Sequence, residues 1–133
     1  MRRLILISFI LALGGVPARA QTNTLLADLK QMEAGYQSCL DKGENMLDCS
    51  RRHYLQSESV LNSVYYQLKS KLPPEKKAAL AGEQRQWLKL RDRRFSMIQT
   101  EDSGLGGRDS LMYIYHEQAT VVKERIRVLI PRI

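Results

Sequence analysis

The sequence predicts an all-α protein, an antiparallel bundle of three long helices plus a short N-terminal helix, held by one disulfide. Three observations carry this reading. Apolar residues recur every three or four positions through most of the chain, the spacing that gives a helix one buried face. Strand-like alternation is absent. The periodic stretches are also separated by two strong breaks, Pro73-Pro74 and a glycine-rich segment, and no tandem repeat, low-complexity segment or linker intervenes.

A first, shorter helix is expected around Thr24–Ser38. The second should run near Asn45–Leu72, because Leu47, Tyr54, Leu61, Tyr65, Leu68 and Leu72 form one inward line, with Glu58 occupying a place in it. Pro73 and Pro74 stop that helix, and Pro74 suits the first turn of the next, where no amide donor is needed. Glu75 follows, and a negative charge complements a helix N-terminus. The third helix should extend from about Pro74 to Gln99, with Leu80, Gln84, Trp87, Leu88, Arg91, Phe95 and Ile98 on its inner face. Thr100–Arg108, reading TEDSGLGGR, is a turn; a phosphate-binding loop would need a preceding strand and a following GK[ST], and neither occurs. The last helix should span about Asp109–Leu129, through Met112, Tyr115, Ala119, Val122, Ile126 and Leu129, with Pro131 closing the chain.

Residues 1–20 read as a cleavable signal peptide. Arg2 and Arg3 precede the apolar run Leu4–Leu13, Gly14, Gly15 and Pro17 break it, and Ala18-Arg19-Ala20 offers a cleavage site after Ala20. The run is shorter than the ~20 apolar residues that span a bilayer, so a retained anchor is the weaker alternative. No cysteine follows the small-residue site to carry a lipid. The expected product is therefore a soluble periplasmic or secreted domain, residues 21–133, with no stable membrane anchor. Cleavage removes Arg2, Arg3 and Arg19 but none of the 14 acids, so the formal charge falls from +7 to +4. Because the positive residues are not gathered in one run, the charge does not argue for a nucleic-acid partner.

Cys39 and Cys49 are the only cysteines, and an even count in an exported chain points to a disulfide. Between them Asp41, Lys42, Gly43, Glu44 and Asn45 are turn-forming residues. The spacing is not that of a C-x-x-C redox site, and a zinc site would need His53 and His116 to converge on both thiols. No metal or other cofactor is expected.

The stretch Glu83–Phe95, EQRQWLKLRDRRF, holds the only tryptophan. Gln84, Trp87, Leu88, Arg91, Asp92 and Phe95 lie within one broad helical stripe that mixes aromatic and charged residues. Polar groups on a core-facing stripe must find partners. Glu58 and Asn62 on the preceding helix supply them, so Arg91 is expected to meet Glu58, with Gln84, Asn62 and Asp92 completing the set. Glu58 and Asp92 are also the residues a hydrolase would use as an acid–base pair. No nucleophile–base pair or oxyanion donor accompanies them, so a non-enzymatic role is expected.

The series Cys49, Glu58, Leu61-Asn62, Tyr65, Leu68 and Leu72, followed by Leu80, Gln84, Trp87 and Arg91-Asp92, resembles the N-terminal domain of the LprI-like lysozyme inhibitors. That pattern runs from a cysteine and an acid nine residues on, through L-N-x-x-Y, to Q-x-x-W-x-x-x-R-D. Thr120, Glu124 and Arg125 fit its T-x-x-x-E-R ending, and the resemblance covers about residues 36–129. Two places depart from it. Phe95 stands where a cysteine is usual and no cysteine follows Cys49, which implies joint loss of a second disulfide; Glu58 replaces the usual aspartate.

The resemblance implies an envelope protein with a protein partner, lysozyme being the one it names. Glu101, Asp102 and Asp109, around the glycine-rich turn, are the candidate contacts for a cationic cleft. The competing reading is a general envelope protein-binding or stress-protection module without lysozyme activity. Neither reading sets the oligomeric state.

Overall fold

The structure, a computed structural model, describes residues 18–101 and 106–133. Helix α1 spans Ala18–Asp41, α2 Met46–Lys71, α3 Pro74–Glu101 and α4 Gly107–Leu129, followed by a 3-10 turn at Ile130–Arg132. No strand occurs among the described residues. The first helix is longer than the sequence pattern suggested, at 24 residues. Its polar composition hides it, since only Leu29 is fully buried there, with Leu25 and Met32 at the core edge. The expected signal peptide lies largely outside the described residues, and no described helix is long and apolar enough to cross a membrane.

Local chemistry sets the boundaries. At the end of α1, Gly43 takes a positive φ of 68° and its amide donates to the Leu40 carbonyl at 2.9 Å, closing the last turn. Asn45 then adopts the left-handed conformation before α2 begins, one that asparagine tolerates better than most residues. The Cys39–Cys49 disulfide spans this turn with a Cα–Cα distance of 5.9 Å. Between α2 and α3, Leu72 is extended, as a residue before proline tends to be, and Pro74 opens α3.

Each helix runs opposite to the next, so α2 and α4 are parallel. They form the most intimate pair in the fold, while α1 and α3 flank them. Cross-contacts give these directions: Tyr36 reaches Ser50 near the α1–α2 turn while Gln21 meets Gln67 at the far end, and Tyr54 lies against Tyr115 near the start of both inner helices. The main apolar core combines Leu61, Val64 and Leu68 of α2 with Val122, Ile126 and Leu129 of α4, sealed by Leu29, Leu80 and Ile130.

Burial on α2 is rotated away from the expected line. Leu61 and Leu68 are buried, but Leu47, Tyr54, Tyr65 and Leu72 are only half-buried, and the central positions are Cys49, Ser50, His53, Ser57 and Val64. The reason is that α4 takes the central face of α2, whereas the expected stripe looks toward the boundary with α3. Close approach of α2 and α4 needs small side chains, which Ser50, Ser57 and Ala119 provide at full burial. The two serines bond back to the carbonyls of Met46 and His53, at 3.1 and 2.8 Å, so they present little polarity to the core.

Candidate functional site

Along α3, Arg91 is the hub. Its Nη1 lies 3.4 Å from Glu58 Oε1 on α2, and its Nε and Nη2 donate to Asp92 Oδ1 at 3.0 and 2.8 Å. The guanidinium also sits over the rings of Trp87 and Phe95, with its carbon 5.8 and 5.4 Å from their centroids. Glu58 in turn accepts from the Tyr54 hydroxyl at 3.3 Å, and Tyr54 meets Phe95 edge-on at 6.0 Å. Burial, with the adjacent Glu58 charge, raises the Tyr54 pKa, so the phenol stays a donor. Phe95, where a cysteine is usual in the resembling pattern, supplies aromatic surface to this cluster.

A second hub stands on α4 at Arg125, which the sequence placed in the T-x-x-x-E-R ending but not in this network. Arg125 is 7% exposed, its Nε donates to Gln84 Oε1 at 3.1 Å, and its Nη2 is 2.9 Å from Glu83 Oε1. That last contact is an ion pair without hydrogen-bond alignment. Its guanidinium carbon lies 5.7 Å from the Trp87 ring, so Trp87 is flanked by Arg91 and Arg125 together. Glu83 also binds Arg132 at 2.9 Å, and the hydrogen bond from Arg132, with the adjacent charge of Arg125, holds its pKa below the usual carboxylate range against the opposing effect of burial. Arg125 lies three residues after Val122 and four before Leu129, beside the α4 apolar line, where a cation must find partners.

The motif residues therefore do not close a dry seam between α2 and α3. Gln84 pairs with α4, and Asp92 is exposed on the flank of α3. Asn62 is exposed and makes no side-chain hydrogen bond among the described residues, so it stands outside the network it was expected to complete. Asn62, Glu58, Tyr65, Gln84 and Arg91 instead line an open groove of about 390 Å³ between the two helices. Both carboxylates of the notional acid–base pair are bound to one guanidinium, that of Arg91.

The opposite end of the bundle holds a different cluster. His53 is 1% exposed, neither ring nitrogen has a hydrogen-bond partner, and its ring stacks on Tyr36 at 4.2 Å with planes 5° apart. Burial, then the positive charges of Lys123 and His116, lowers its pKa to about 4. The Tyr36 hydroxyl bridges Ser50 Oγ and His116 Nδ1 at 3.1 and 3.2 Å. The disulfide joins both thiols, which removes the sulfur ligands a zinc site would have needed. No group of three or more metal-ligating side chains occurs among the described residues. Glu101 ends α3 and Asp109 lies in the first turn of α4, both exposed; Asp102 lies outside the described residues.

Compared with known proteins, the chain matches the family model described as lysozyme inhibitor LprI over residues 37–129. No curated protein and no solved structure matches it.

Proposed function

The chain belongs to the LprI family of lysozyme inhibitors, and from that premise we propose that it is an exported, non-enzymatic protein that protects the cell wall by binding lysozyme. The observation that carries the reading is the family match, which takes in α2, α3 and α4. The fold adds support. The α1–α2 turn, the end of α3 and the start of α4 share one end of the bundle, where Tyr36, Ser50, Asp109 and His116 border one hollow. Exposed Asp41 and Glu44 in the first turn thus stand at the same end as Glu101 and Asp109, and Asp102 belongs to the segment joining α3 to α4. Lysozymes of animals are typically basic, so an acidic tip suits their clefts. Export by residues 1–20 is part of the proposal, and the disulfide fits an oxidising compartment.

A turbidity assay of cell-wall lysis with chicken-type and goose-type lysozymes tests this. Inhibition of at least one type is expected, with at least a tenfold loss in a Glu101→Ala/Asp102→Ala variant. Undiminished inhibition by that variant would exclude the acidic tip as the contact. A second reading, a general envelope protein-binding module, is favoured by the +4 formal charge of residues 21–133, which would not steer the protein toward a basic enzyme. It prevails if neither lysozyme is inhibited and pull-down from periplasmic extract captures another protein.

A further inference from the structure

We propose that the outward face of α3, continued across the α2–α3 corner, is a reversible docking surface for an anionic phospholipid bilayer. The sequence shows no basic run, but ion pairing redistributes the charge. Arg51 and Arg52 are paired with Asp48, Lys123 and Arg127 with Glu33, Arg125 and Arg132 with Glu83, and Arg94 with Glu124. Arg85, Lys89 and Arg93 have no acid at ion-pair distance among the described residues, nor have Lys69 and Lys77. The first three recur every four residues and so follow one exposed line on α3. Lys69 and Arg85 border the same groove, and Lys77 shares a surface hollow with Lys69 and Tyr66. The nearby acids are already engaged or at the margin: Glu58 and Asp92 hold Arg91, and Glu75 stands in the first turn of α3.

Charge alone would suit any polyanion. Apolar side chains beside the cations favour lipid. Leu90 is 51% exposed, Met97 59% and Tyr66 64%, with Leu90 and Met97 two turns apart on the outer side of α3. A helix lying flat with cations toward headgroups and apolar side chains at the acyl boundary gains from both effects, and tyrosine suits the interface. The attraction to anionic headgroups reaches only about a Debye length, so binding must weaken with salt. The cations Arg85, Lys89 and Arg93 are distinct from the acidic set Glu101, Asp102 and Asp109, so their failure leaves the lysozyme reading untouched.

Co-sedimentation of the purified protein with phosphatidylcholine vesicles, with and without phosphatidylglycerol, tests the proposal. The N-terminal apolar run is common to every sample, so the difference between neutral and anionic vesicles is the readout. At least tenfold tighter binding to anionic vesicles is expected, largely lost in high salt. An Arg85→Glu/Lys89→Glu/Arg93→Glu variant should lose at least tenfold, and Leu90→Ser/Met97→Ser should lose severalfold, both with unchanged helicity by circular dichroism. Equal binding to neutral and anionic vesicles, or an unaffected charge-reversal variant, overturns it. So does retention on heparin together with anionic-vesicle binding that ignores Leu90 and Met97, which would mark a general polyanion surface.

Discussion

At the end where α2 turns into α3, the axis of the bundle is filled by Leu61, Val64, Leu68, Ile126, Leu129 and Ile130. At the other end, the equivalent inward positions hold Cys49, Ser50, His53, Ser57 and Gln118. One end is stabilised by apolar burial, and the other by a disulfide, a ring stack and hydroxyls folded back on their own helix. The acids proposed to meet a partner, Asp41, Glu44, Glu101 and Asp109 among the described residues, stand at the second end. A small domain that presents loops from a thin core needs a covalent tie there, because ordering the turns costs entropy that little apolar burial offsets.

The largest expected effect separates the two ends directly. Ile126→Ala removes a fully buried side chain from the apolar end and should cost about 4 kcal/mol. Ser57→Ala, at an equally buried position, loses only a hydroxyl bonded to its own helix and should cost under about 1 kcal/mol. Urea unfolding followed by circular dichroism measures both. Similar costs for the two variants would refute a division of labour between the ends.

Next in size is an acid response at the polar end. His53 has a folded pKa of about 4 against an ordinary 6.5, so the unfolded chain takes up its proton first as pH falls. Its contribution is present in full above about pH 6.5, fades between there and 4, and amounts to about 3 kcal/mol of lost stability below that. Glu83, with its lowered pKa, adds a further loss in more acid solution. His53→Phe keeps a ring against Tyr36 and should flatten the decline between pH 6.5 and 4; a decline as steep as the wild type's would show that other groups carry it.

The apolar end was the more legible of the two. Leu61, Leu68, Val122, Ile126 and Leu129 follow helical periodicity, and Pro73-Pro74 marks a true helix boundary, since both effects act within a few residues. Arg91 and Glu58 were matched because a buried-side guanidinium demands an acid and one lies on the preceding helix. Periodicity is silent about which helix faces which stripe. Ser50, His53 and Ser57 lie off the expected α2 line yet are buried on the face that packs against α4, and Asn62, expected to complete the network, lines the open groove instead. The pairing of Arg125 was not legible because its partners, Glu83 and Gln84, are about forty residues away in sequence on α3.

The disulfide gives the smallest of the three effects and the most selective one. A Cys39→Ser/Cys49→Ser variant frees a turn whose ends are ten residues apart, and the chain-entropy model assigns so short a loop roughly 2–3 kcal/mol. If the polar end depends on this tie, the loss should be local before it is global. Amides of α1 and α2 near Tyr36 and His53 should exchange hydrogen faster in the variant, while those around Leu68 and Ile126 keep their protection under native conditions. Uniformly faster exchange at both ends would mean that the bundle opens as one unit, with the disulfide acting on the unfolded chain alone. The same variant carries the comparison into function. Should the acidic residues bind a partner, loosening their end should weaken that binding, whereas the cations Arg85, Lys89 and Arg93, carried on α3 outside the disulfide-tied turn, should hold vesicles as before.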